Sequence, residues 1–126
     1  MNKEDFDKGL EIRKAVLGAE YVERSLANAD DFMQDFQELL TSYCWGAVWG
    51  REGLSRRERS LLNLGMLASM GKTEELKLHV RGAINNGLSV DDIKEALLQV
   101  AIYAGVPASL SAFKAAQAVL KEDGLI

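Results

Sequence analysis

The chain has 126 residues and a formal charge of −4, with 15 Lys and Arg against 19 Asp and Glu. It is 48% hydrophobic and 27% charged, with 11 Gly and one Pro, which excludes a disordered, collagen-like or low-complexity protein. With no basic block it is a poor electrostatic partner for nucleic acid or an anionic membrane, although local arginines can still hold a small anion.

The length sets the expectation of a single domain over residues 1–126, enough to bury roughly two thirds of the unfolded surface. Cys44 and His79 are the one cysteine and the one histidine. A lone thiol forms no internal disulfide or CxxC redox pair, and one Cys with one His cannot build a Cys/His zinc site. No Cys/His metal site is therefore expected. The start, MNKEDFDKGLEIRK, is charged and lacks a leader's apolar core, and no uncharged apolar run reaches the roughly 18 residues of a membrane span. The expectation is a protein of the reducing cytoplasm.

Helical periodicity runs through the whole chain. Residues 3–17 place Phe6, Leu10, Ile12, Val16 and Leu17 among charges, and Gly18 can end that helix. A short helix over 19–28 follows. Asp30 or Asp31 is placed to cap a third, which carries Phe32, Phe36, Leu39 and Leu40 and runs into the aromatic stretch Tyr43–Trp49. Residues 51–54 read as a loop. Ser55 with Glu58 forms a capping-box pattern ahead of Leu61–Ala68, which is apolar on nearly every side and predicts a helix buried all round. Thr73 is expected to cap a helix ending near Gly87. Ser89 is expected to cap the next, with Asp91 and Asp92 favoured by the helix dipole. Pro107 suits the first position of a last helix over 107–122. Nothing alternates with the period of a strand, so the fold class is all-α with six or seven helices. Residues 61–70 and 96–113 are too apolar for a monomer's outer layer, which predicts a homo-oligomer.

Three groups can carry chemistry. His79 borders the apolar stripe of its helix, with Glu75 one turn away on the same side. A carboxylate can orient an imidazole, so the two make a general acid/base candidate; equally they make a half-buried histidine with a surface ion pair. Arg56, Arg57 and Arg59 open the apolar helix, as carboxylate grips or as a solvated helix start. Arg81 lies about 200° round the helix from His79, so it reaches a site only across an interface or is structural. Trp45 and Trp49, one turn apart, wall a ligand cavity or pack as core. No phosphate loop, HExxH or GxSxG motif is present.

Several phrases taken together are similar to the γ-carboxymuconolactone decarboxylase family. They are Gly9-Leu10-Glu11-Ile12-Arg13, Trp45-Gly46-Ala47-Val48-Trp49, Gly53-Leu54-Ser55-Arg56-Arg57, Leu78-His79-Val80-Arg81-Gly82-Ala83, Asn86-Gly87 and Ile102-Tyr103-Ala104-Gly105-Val106-Pro107-Ala108. The resemblance covers about residues 9–120. It implies the all-helical fold of the alkyl hydroperoxidase D proteins, usually as a homohexamer. It also implies a cofactor-free conversion of 4-carboxymuconolactone, a small anionic lactone, to β-ketoadipate enol-lactone and CO₂. On that resemblance His79 is the acid or oxyanion donor and Glu75 orients it. Arg59 holds the acetate arm with Arg81 as the second choice, Ser60 adds a hydrogen bond, and Trp45 shields the ring. The superfamily's peroxidase branch carries a CxxC pair where this chain resembles it at Lys72 and Glu75, and a glutamate at Ser60, so thiol peroxidase chemistry by that route is not expected. The remaining alternatives are a decarboxylase of another lactone or keto acid, and a non-catalytic helical oligomer.

Overall fold

The computed structural model describes residues 2–126. Among them the ordered elements are α1 (Lys3–Leu17), α2 (Ala19–Ala27), α3 (Asp31–Leu39), a π-helix (Leu40–Val48), α4 (Arg56–Ser69), α5 (Thr73–Asn85), α6 (Val90–Tyr103) and α7 (Val106–Glu122). The all-α class is as the periodicity requires. The chain divides into two compact units, residues 1–55 and 56–126.

In the first unit α1 packs along the π-helix. Asn2 opens α1, its side chain accepting from the amides of Glu4 and Asp5. Two glycines set the approach: a Cβ on Gly9 would meet the Thr41 carbonyl oxygen, and one on Gly46 would meet that of Asp5. Ile12, Val16, Leu17, Val22, Trp45 and Trp49 are buried there. Asp30 caps α3, accepting from the Met33 amide at 3.0 Å. The aromatic stretch continues α3 as a π-helix and not as the α-helix its periodicity suggested; side-chain spacing does not report an i→i+5 register directly.

In the second unit the core runs through all four helices, from Leu64 and Ala68 on α4 through Leu76, Val80, Ala83, Ile93 and Leu97 to Ala112, Ala116 and Val119 on α7. The Ser89 cap is a full capping box: its hydroxyl accepts from the Asp92 amide, and the Asp92 carboxylate accepts from the Ser89 amide. Thr73 is not the cap of α5 but its first residue; Lys72 stands at the N-cap and supplies no side-chain bond. Pro107 follows Val106, one place further into α7 than expected. The prediction that α4 is buried all round fails within one chain. Ser60, Leu64 and Ala68 are buried, whereas Leu61, Leu62, Met66 and Met70 are exposed. A four-helix unit can cover one face of α4 but cannot surround it.

Candidate active site

His79 projects from the middle of α5 and is half-buried. Burial pushes its pKa below the ordinary histidine value, and the nearby Glu75 charge opposes that shift. Glu75 itself is exposed. Its influence is that of a charge one helical turn away. The net direction leaves the ring neutral at neutral pH, with one N–H to donate and one nitrogen to accept.

The same face of α5 carries a third polar group. Seven residues return a helix to within about 20° of its starting phase, so Asn86, at the C-cap, continues the line of Glu75 and His79 about 10 Å along the axis. Asn86 Nδ2 donates to Ser60 Oγ at 2.8 Å and reaches the Arg56 carbonyl oxygen at 3.4 Å. Ser60 is fully buried. The bond therefore ties the first turns of α4, where half-buried Arg59 sits beside Ser60, to the histidine face of α5. Sequence reasoning gave Asn86 no role at the site, reading Asn86-Gly87 as a helix end and as one phrase of the family resemblance. An amide in phase with His79 was the available signal.

Arg81, Arg57 and Trp45 have partners of their own. Arg81 turns to α7, where Nε donates to Asp123 Oδ2 at 2.9 Å, Nη2 reaches Asp123 Oδ1 at 3.3 Å and Nη2 also pairs with Glu122 at 3.2 Å. Its two-donor edge is thus occupied within the chain. Arg57 pairs with Asp92 at 2.8 Å. Trp45 stacks on Trp49 with ring centroids 4.7 Å apart, and both are buried in the first unit. A hollow of about 820 Å³ in the second unit lies between α4 and α6 and is lined by Leu61, Leu62, Met66, Met70 and Tyr103, with the Arg57–Asp92 pair at its edge. His79 does not line it. Among the described residues no group of three or more His, Cys, Asp and Glu side chains comes together as a metal site.

These features define a helical protein whose one imidazole is partly desolvated beside an acid, with an asparagine bonded to a buried serine fixing the adjoining helix. Residues 34–118 match the Carboxymuconolactone decarboxylase family, and the chain belongs to that family. It is 44% identical to 4-carboxymuconolactone decarboxylase of Acinetobacter baylyi, over 99% of this chain and 94% of that enzyme. It is 47% identical to nitrosuccinic acid decarboxylase npaB of Metarhizium robertsii, over 93% of this chain and 82% of that enzyme. A 4-carboxymuconolactone decarboxylase of Pseudomonas putida is 41% identical over a shorter stretch, 35% of this chain and 92% of that sequence.

Proposed function

We propose that this chain is a carboxy-lyase that converts 4-carboxymuconolactone to β-ketoadipate enol-lactone and CO₂ without a cofactor, in the protocatechuate branch of aromatic degradation. The observation that carries this is the near full-length likeness to the Acinetobacter baylyi enzyme, joined to a single desolvated imidazole beside an acid.

The substrate supplies its own electron sink. The bond from the γ carbon to the departing carboxylate breaks, and its electron pair moves through the ring double bond onto the lactone carbonyl oxygen. The product of that step is a delocalised furanolate, and protonation at the α carbon gives the enol-lactone. The protein has to stabilise the oxyanion, deliver one proton and hold the acetate arm. His79, kept neutral by burial, suits an N–H donor to the developing oxyanion better than a standing imidazolium acid. Glu75 sets its electrostatic environment. Arg59 takes the acetate arm in preference to Arg81, whose fork is engaged by Asp123. Ser60, fixed by Asn86, positions the start of α4.

A second substrate has its own support in the 47% identity to the nitrosuccinic acid decarboxylase. Nitrosuccinic acid also loses a carboxylate next to an electron sink, here a nitro group that becomes a nitronate, and also keeps a second carboxylate. One site chemistry serves both, so the two are separated by assay: CO₂ release from each substrate in parallel, compared by kcat/KM. Preference for the lactone supports the first reading, and preference for nitrosuccinate replaces it.

The working form in this reading is a cytoplasmic homo-oligomer, a hexamer by resemblance. The apolar groove between α4 and α6, with Leu62, Met66, Met70 and Tyr103 exposed, supports association of copies. Sedimentation at micromolar concentration tests it, and a monomer overturns it.

A further inference from the structure

Arg13, on α1, is only 3% exposed. Its Nη1 donates to Gln37 Oε1 at 3.0 Å and to Thr41 Oγ1 at 3.2 Å, and both acceptors are neutral. Its Nε is buried and makes no hydrogen bond. Among the described residues no carboxylate lies within ion-pairing distance, although Lys14, the next residue, pairs with Glu23. The ionisable groups that act on it are the Tyr21 phenol and the Cys44 thiol, and burial pushes the Cys44 thiol up, away from thiolate. A buried cation without a counter-charge is among the costlier arrangements a fold can keep. Neutral acceptors orient it but do not compensate its charge.

The surroundings are also unusual. Thr41 belongs to the π-helix, which spans nine residues, whereas π segments mostly occur as single-turn bulges, frequently at functional sites. The backbones of α1 and the π-helix touch at Gly9 and Gly46, so the element holding Arg13 and the element orienting it form one rigid pair. Two independent features, an uncompensated buried guanidinium and an extended π-helix facing it, thus meet at one point.

We propose that Arg13 anchors a carboxylate-binding site in the N-terminal unit, taking a small-molecule carboxylate on the Nε–Nη2 edge of its guanidinium. One arginine edge with two parallel donors matches the two oxygens of a carboxylate, and Gln37 and Thr41 hold the plane of the fork. A single positive charge beside neutral side chains is matched by a singly charged group and not by a phosphate dianion. The depth of Arg13 favours a small ligand over a carboxylate borne on a protein surface. This site is independent of the decarboxylation reading, because its occupancy is measured without turnover.

The full-length chain is titrated with sodium acetate and sodium succinate, ionic strength being held constant with sodium chloride. Tryptophan fluorescence follows Trp45 and Trp49 in the same unit, and melting temperature is recorded in parallel. The wild type is expected to give a saturable fluorescence change and a raised melting temperature. Arg13→Met should weaken carboxylate affinity by about 30-fold or more. Its melting temperature without ligand should be equal or higher, since an uncompensated buried charge has gone. Arg13→Lys keeps the charge without the two-donor edge and should bind about tenfold more weakly. The proposal falls if the wild type shows no saturable response at constant ionic strength, if Arg13→Met responds like wild type, or if Arg13→Met folds with a lowered melting temperature, which marks a structural arginine. Should Arg13→Met not fold, Arg13→Lys decides: weakened carboxylate binding supports the site and unchanged binding overturns it. An unresponsive wild type whose assembly dissociates on Arg13→Met would place a second copy's carboxylate on Arg13, and the proposal falls in that case too.

Discussion

Asn86 donates to the buried hydroxyl of Ser60 at 2.8 Å, joining the end of α5 to the first turns of α4. Ser60 is shut off from water, so a lost partner is not replaced by solvent. Asn86→Ala should therefore cost about 1–3 kcal/mol of stability, measured by urea denaturation. Ser60→Ala removes the orphaned group as well, so the double variant should cost less than the sum of the two single ones. Additive losses would show that the bond carries no coupling.

His79→Gln keeps a polar group of similar size but removes the imidazole. On the proposed reaction it should lower kcat by at least about 10²-fold, with unchanged helicity by circular dichroism. Unaltered turnover of both candidate substrates would remove His79 from the chemistry.

The pH dependence of His79 follows from its depressed pKa, which burial causes and Glu75 opposes. Above an unfolded value of about 6.5 the ring is neutral in both states, and its contribution to stability is fully present. As pH falls below that value the unfolded chain takes up the proton first. Stability is then lost until pH passes through the lower folded value. Melting temperature should accordingly decline over this interval in the wild type, and this part of the decline should vanish in His79→Gln. Glu75→Gln removes the opposing charge, so the folded pKa drops further and the interval widens. Turnover that uses neutral His79 as a donor should fall on the acid side of the profile; a fall on the alkaline side would identify an imidazolium acid instead.

Gly9 sits where the backbone of α1 meets the Thr41 carbonyl. Gly9→Ala puts a methyl group against rigid backbone, so α1 must move off the π-helix. The expected loss is about 3 kcal/mol or more, at the upper end of overpacking effects, read from chemical denaturation followed by tryptophan fluorescence. A neutral effect would show that α1 and the π-helix separate readily and that Arg13 is not held by a rigid pair.

Much of the backbone was legible in local sequence. The bounds of α1 and the Ser89 cap follow from nearby residues alone, because capping and apolar periodicity are short-range effects. Thr73 misled, since a residue that often caps can equally begin a helix when its φ and ψ are already helical. The site was only half legible. His79 and Glu75 share a face by spacing, and Arg81 was placed on the far side by the same arithmetic. The partners that define those roles, Asp123 for Arg81 and Asn86 for Ser60, lie 42 and 26 residues away in the chain.

The sequence by itself determined the helical class, most helix ends and the residues able to do proton chemistry, because each depends on one residue and its neighbours within a turn or two. Only the tertiary structure decided which of those residues are desolvated and which are already engaged. It placed Arg81 against α7, buried Trp45 on Trp49 and left Arg13 charged without a carboxylate. Burial and counter-charges are set by elements that meet in space, and the energy of a charge depends on what surrounds it there.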